Sequence, residues 1–237
     1  MKLFIFDLET TGLFAANCGV HQLAGAIIEI QPDGCLKFCE SFNYKVKPFI
    51  GKRIYPSALE VGGLTYDTIA SYGEPLAIFQ EFRRTLEKHV KKFDNEDKMT
   101  LVGYNNMHFD NEFLRQWFLD CGEKYFGSYF WSNSIDVMSE ASRVLINLRP
   151  LMPNFKLGTV AKTLGIAVSE EDLHDGLYDV RLTYKILSYC LKNPFPKTFE
   201  GVNIGKMKEE VLLEKERQKK EAKLNPIKEK EHYTLFE

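Results

Sequence analysis

Residues 3–13 read Leu3-Phe4-Ile5-Phe6-Asp7-Leu8-Glu9-Thr10-Thr11-Gly12-Leu13, and this stretch decides the fold. It opens as a continuous apolar run, the pattern of a strand buried on both faces. Side chains two apart on a strand share a face, so Asp7 and Glu9 project together from the strand's end. Two like charges held together are costly unless positive charge sits between them. A divalent cation fits, because hard ions prefer carboxylate oxygen. Thr10-Thr11-Gly12 then forms a tight turn where backbone can approach a ligand. Taken alone, such a pair is more often an acidic strand end above a loop, so the remaining motifs must decide between the two.

Working outward, residues 21–48 read as two further strands joined at Pro32-Asp33-Gly34, a hairpin signal. The fold therefore opens as a three-stranded meander. Residues 52–75 mix Pro, Gly and Ser with short apolar groups and read as loop with one helical turn. Phe79, Phe82, Leu86 and Val90 recur at helical spacing, which predicts an amphipathic helix from Glu74 to about Lys92. A short buried strand follows at 99–105, then a helix over 109–122 closed by Gly122. Residues 134–145 read as a strand end entering a helix, 156–165 as a short helix, and about 177–191 as a last one. The order β-β-β-α-β-α-β-α-α-α predicts an α/β fold, a mixed five-stranded sheet flanked by helices. Pro194 and Pro196 punctuate its end, so residues 1–200 form the domain. Residues 201–237 read as a charged C-terminal helix or tail whose charges nearly cancel.

The composition sets outer bounds. A hydrophobic content of 44% and a charged content of 27% are ordinary for a soluble globular chain. No apolar stretch approaches the ~18 residues of a membrane span, and no signal segment is evident. Five cysteines, without paired CxxC knuckles, read as free thiols of a reducing, cytoplasmic setting. A net charge of −2 does not by itself nominate a nucleic-acid binder, but a metal site brings its own positive charge.

Two further acidic motifs decide the matter. Asn106-Met107-His108-Phe109-Asp110 places Asp110 where a strand hands over to a helix, a position favoured by the helix dipole. His174-Asp175-Gly176-Leu177-Tyr178-Asp179 places Asp179 in the first turns of the last helix, with His174 five residues upstream. A histidine beside a carboxylate can deprotonate water near neutral pH. The three motifs DLETTG, NMHFDNEF and HDGLYD together resemble those of the DEDD superfamily of 3′→5′ exonucleases, in its His-containing branch. The likeness covers roughly residues 1–190. GYNNMHFDNE, WSNSIDVM, INLRPLMP and FKLGTVAKTLGI bring it nearest to the nuclease domain of bacterial exonuclease I. His108 departs from the usual Arg, and the chain has no room for that family's additional C-terminal domains.

The resemblance implies a ribonuclease H-like fold and a two-metal hydrolase using Mg²⁺, with Mn²⁺ as substitute. It implies Asp7, Glu9, Asp110 and Asp179 as metal ligands, Asp7 bridging both ions, and His174 as general base. Backbone groups of Thr11, Gly12 and Leu13 are expected to contact the terminal nucleotide, and Asn106 either bonds near the scissile phosphate or fixes its loop; Leu13, Phe14 and Phe109 offer stacking surfaces. The expected substrate is single-stranded DNA, with RNA as the alternative; a proofreading subunit bound to a polymerase is a further reading. The terminal HYTLFE resembles Leu-Phe peptides that bind sliding clamps, with His232 where Gln is typical.

Overall fold

The computed structural model of the chain describes residues 1–173, 175–194, 196, 204–224 and 233–234. Five strands form one sheet: β1 (Lys2–Thr10), β2 (Val20–Ile30), β3 (Leu36–Lys45), β5 (Met99–Gly103) and β6 (Phe130–Asp136). Their spatial order is β3-β2-β1-β5-β6. β1 pairs antiparallel with β2, and β2 with β3, as the hairpin signal requires. β5 and β6 add parallel to β1. The mixed five-stranded sheet expected from the sequence is therefore present. β4 (Arg53–Ile54) pairs separately with β7 (Tyr233–Thr234).

Eight helices accompany the strands among the described residues: α1 (Pro56–Val61), α2 (Tyr66–Ala70), α3 (Pro75–His89), α4 (Asp110–Asp120), α5 (Val137–Val144), α6 (Leu157–Thr163), α7 (Gly176–Lys192) and α8 (Ile204–Leu224). The segment 52–75 departs from expectation. It holds β4 and two short helices, where the sequence reads as loop with one turn. Each helix has a local start signal, Pro56 at the head of α1 and a Thr65 hydroxyl accepting the Thr68 N–H at α2. Ile54, Leu59 and Ile69 pack under them as a small separate core. Five or six residues are too few to show a helical period, which is why the pattern is not visible in the sequence.

By internal packing the described chain divides into two compact units: 1–136 with 175–180 and 233–234, and 137–173 with 181–194, 196 and 204–224. The first unit contains the sheet and a core dominated by aromatic rings. Phe4 stacks on Phe6 at 5.1 Å, on Phe42 at 5.7 Å and on Phe130 at 5.6 Å. Gly25 is required here, because a Cβ would stand 2.7 Å from both the Phe4 and Phe42 rings. In the second unit Val144, Val160, Leu182, Ile186 and Leu187 are buried. α8 forms a helix where a charged helix or tail is expected, with Leu212 and Leu213 exposed. The expected clamp peptide falls largely outside the described residues, which retain only Tyr233–Thr234 of it, paired as β7. None of the five cysteines is in a disulfide. No described helix is long and apolar enough to cross a membrane.

Candidate active site

The site begins where β1 outruns its neighbour. β1 and β5 stay in register from Lys2↔Met99 to Ile5↔Val102, and β1 then continues to Thr10 without β5 beside it. A buried N–H that loses its ladder partner needs another acceptor. At Leu8 that acceptor is Asp110, whose Oδ1 takes the Leu8 N–H at 3.3 Å. Asp110 reaches it because the chain leaves β5 at Gly103, folds back, and starts α4 at Asp110 itself. The fold-back is tight: a Cβ on Gly103 would stand 2.6 Å from the Asn106 Cβ. Asn105 takes the left-handed conformation, φ 59°, which Asn tolerates better than most residues.

Asp7 and Glu9 lie on one face of β1, opposite Ala24 and Gln22 of β2. The first turn of α7 comes down on this face. A Cβ on Gly176 would stand 3.1 Å from the Ala24 Cβ, 3.2 Å from the Gln22 Nε2 and 3.6 Å from Asp7 Oδ2. Glycine at 176 thus lets the helix start approach the strand. Asp175 caps that start, its Oδ1 accepting the Tyr178 N–H at 3.0 Å, and Asp179 follows one turn later. Asp7, Glu9, Asp110 and Asp179 are so brought within electrostatic reach of one another.

Their charges are felt. The Asp7 carboxyl is held well above the ordinary range, by burial first and then by Asp110, Glu9, Asp179 and Asp175. Burial, with help from Asp179 and Asp175, lifts Glu9 to about 7 against the pull of Lys45. Asp110 also rises to about 7, burial outweighing the N–H groups of Leu8 and Asp110, with Glu9 and Asp136 adding to the rise. Among the described residues, no three His, Cys, Asp or Glu side chains form a group arranged to hold a metal ion. The chemistry of the donors nonetheless fits one. They are all carboxylate oxygens, half-buried or buried, in surroundings that disfavour uncompensated negative charge. His174 lies outside the described residues.

The expected substrate contacts divide. Leu13 and Phe14 are 75% and 66% exposed, so they belong to the surface rather than the core. Phe109 is partly buried, its ring 4.9 Å from Phe113. Thr11 is fully engaged in the turn. Its N–H donates to Gly19 O, its carbonyl accepts from the Tyr55 N–H, and its hydroxyl donates to Arg53 O and accepts the Gly19 N–H. The Thr11 N–H is thus engaged within the fold. The missing side chain of Gly12 has its own explanation, since a Cβ would stand 2.6 Å from both Cys18 Sγ and the Tyr55 ring. Asn106 is fully buried. Its Nδ2 donates to Asn111 Oδ1, whose own Nδ2 donates to Ser134 Oγ. The Asn106 Oδ1 has no partner among the described residues. Through its bond to Asn111 the side chain braces the loop between β5 and α4.

Three charged residues that the motifs do not mark also bear on the site: Asp136, Asp175 and Lys45. Asp136 ends β6 and accepts the Asn105 N–H at 2.9 Å. Asp175 is the one with a readable signal, an acidic residue one position before a helix start. Asp136 and Lys45 reach the site only through strand register.

With the geometry in view, likeness to known proteins has a structural footing. The RNase T family model, described as Exonuclease, matches residues 4–187, most of the chain. The chain belongs to this exonuclease family. It is thus a 3′→5′ exonuclease-type hydrolase, as the three acidic motifs imply. Ribonuclease T of Photobacterium profundum is 21% identical over 199 residues, covering 77% of this chain and 78% of that protein. Ribonuclease T of Yersinia enterocolitica is 22% identical over 202 residues, covering 77% and 80%. The zinc ion-bound E. coli exonuclease I–ssDNA complex superposes with a TM-score of 0.63 at 24% identity, over 81% of this chain and 41% of that one. The chain spans well under half of the exonuclease I polypeptide. The shared fold is the ribonuclease H-like exonuclease fold that the resemblance implies.

Proposed function

We propose that this chain is a divalent-metal-dependent 3′→5′ exonuclease that removes nucleoside 5′-monophosphates from the 3′ end of single-stranded DNA. The observation that carries the reading is the gathering of Asp7, Glu9 and Asp179 around the end of β1, with Asp110 bonded to Leu8 where β5 stops. Four carboxylates in one place destabilise a fold unless they serve to hold cations. In this reading Asp7 would be shared by two Mg²⁺ ions, Glu9 and Asp179 would help hold one and Asp110 the other, and Mn²⁺ would substitute. When bound, the ions supply charge stabilisation to the phosphoryl and leaving oxygens and acidify the attacking water. His174 would serve as general base toward the attacking water, a role worth about 10²–10⁴ in rate. Leu13 and Phe14 offer surfaces for the terminal base, and such stacking favours single strands over duplex ends. Residues 1–200 would form the catalytic domain, with the charged helix α8 beyond it.

RNA is the second reading, and one observation favours it. The relatives that share most of their length with this chain are named Ribonuclease T. The exonuclease I likeness, seen in a complex with ssDNA, extends over 41% of that protein. Both readings share a single-stranded 3′ end and the same carboxylates. A 5′-labelled single-stranded DNA, the matched RNA and a blunt duplex, each incubated with Mg²⁺, separate them. A ladder shortening from the 3′ end on DNA supports the lead, and shortening confined to RNA supports the second reading. Internal cuts, or degradation that survives the loss of Asp7, would overturn the site. His174→Ala should lower turnover about 10²–10⁴-fold while Mg²⁺ binding, followed by calorimetry, persists.

A further inference from the structure

The register of three strands sets a cation in line with the carboxylates. Glu9 of β1 stands opposite Gln22 of β2, and Gln22 stands opposite Lys45 of β3. Cross-strand partners share a face, so Glu9, Gln22 and Lys45 form one row on the side of the sheet that carries Asp7. Strands lie about 4.7–4.9 Å apart, which puts the Lys45 Cα roughly 10 Å from that of Glu9. Gln22 ties Lys45 to the neighbouring strand by hydrogen bonds. The Lys45 Nζ donates to Gln22 Oε1 at 2.8 Å, and Gln22 Nε2 donates to Asn43 Oδ1 at 2.8 Å. The ammonium also stands 5.7 Å from the centre of the Tyr72 ring.

Lys45 differs from the other lysines of this region in what it pairs with. Lys47 lies 3.4 Å from Glu74, and Lys52 lies 2.7 Å from Asp120. Lys45 makes no ion pair among the described residues; its partners are an amide oxygen and a ring. It is exposed, on an ammonium with three donors of which Gln22 takes one. A cation so held, next to a cluster that repels every phosphate not neutralised by metal, is placed to receive an anion. The occupant that the exonuclease reading supplies is the sugar–phosphate backbone.

We propose that Lys45 anchors a backbone phosphate of the nucleic acid strand, on the side of the site away from Asp110, with Gln22 as the residue that positions it. This rests on the exonuclease reading. The scissile phosphate belongs to the carboxylates, so the one met by Lys45 is a different phosphate of the same strand. Lys45 then acts on strand binding and not on bond cleavage.

The test is steady-state degradation of a labelled single-stranded oligonucleotide by wild-type protein, Lys45→Gln and Lys45→Arg, between 50 and 300 mM salt. Thermal melting confirms that each variant is folded. One phosphate contact on a single strand contributes about 0.7 to the log–log salt slope. Lys45→Gln should therefore raise KM roughly tenfold at low salt, leave kcat within about twofold, and make the slope of kcat/KM shallower by about 0.7. Lys45→Arg should restore the slope. An unchanged KM and slope in Lys45→Gln would overturn the inference alone. A fall in kcat at constant KM would also overturn it, because Lys45 would then act on the carboxylates instead. Wild-type protein that degrades neither DNA nor RNA would overturn the exonuclease reading, and this inference with it.

Discussion

The two faces of β1 are one residue apart and follow opposite rules. Phe4, Phe6 and Leu8 point into a cluster of rings, where burial and dispersion stabilise the fold. Asp7 and Glu9 point the other way, where burial and mutual repulsion raise both carboxyls and weaken the fold when they ionise. The aromatic face makes the strand rigid. The acidic face uses that rigidity to hold charges in a place they would otherwise leave. The difference explains why the site lies at this end of the strand. β5 has stopped pairing there, so α4 and α7 can bring in Asp110 and Asp179.

The sharpest way to break the contrast is to neutralise the acidic face. Asp7→Asn should lower exonuclease turnover by at least about 10³-fold, since a bridging ligand supports several kcal/mol of transition-state charge. The same change should raise the melting temperature of the metal-free protein, because a repelled carboxylate has gone. Turnover within tenfold of wild type would remove Asp7 from the site. The aromatic face should answer in reverse. Phe82 is fully buried, with its ring 5.8 Å from both Phe4 and Trp117. Phe82→Ala should cost about 3–5 kcal/mol in urea unfolding while the folded fraction keeps its kcat. A loss of kcat without a loss of stability would show the two faces to be coupled.

The smallest effect is the most specific to the acidic face. Glu9 and Asp110 titrate at about 7 in the folded chain, and Asp7 also lies above its ordinary value. Between about pH 4 and 7 the folded chain binds more protons than the unfolded one, so stability falls as pH rises through that window. His21 works against this. Burial, and then Lys45, lower its pKa to about 4, so its contribution is lost as pH falls from about 6.5 toward 4. Metal-free protein should melt a few degrees lower at pH 8 than at pH 5, at roughly 2–4 °C per kcal/mol. Mg²⁺ should restore more of the melting temperature at pH 8 than at pH 5. Equal Mg²⁺ shifts at both pH values would show that the cation does not relieve these carboxylates.

Much of the fold and of the acidic site is legible in the residues alone. The DxE pair, Asp110 after a buried strand and Asp179 in a helix start are each a local pattern with a local physical reason. Helix α3 is readable because four apolar residues repeat at helical spacing across it. Helices α1 and α2 are not, because five or six residues are shorter than the pattern that reveals a helix. Thr11 is expected near substrate through its backbone at the turn, and Asn106 either near the phosphate or as a brace for its loop. Whether a polar group is free or already engaged depends on partners far along the chain, Gly19, Arg53 and Tyr55 for Thr11. For Asn106 that depends on Asn111, and through it on Ser134.

The sequence by itself determined the acidic motifs and the strand and helix each stands on, which follow from side-chain type and short-range periodicity. The kind of chemistry is what the likeness of those motifs to an exonuclease family implies. Only the tertiary structure decided which residues join them. Lys45 and Gln22 align with Glu9 through strand register, and Asp136 meets the start of α4 through parallel pairing with β5. Register is set by how whole strands bury their faces against one another, which no local pattern of residues contains.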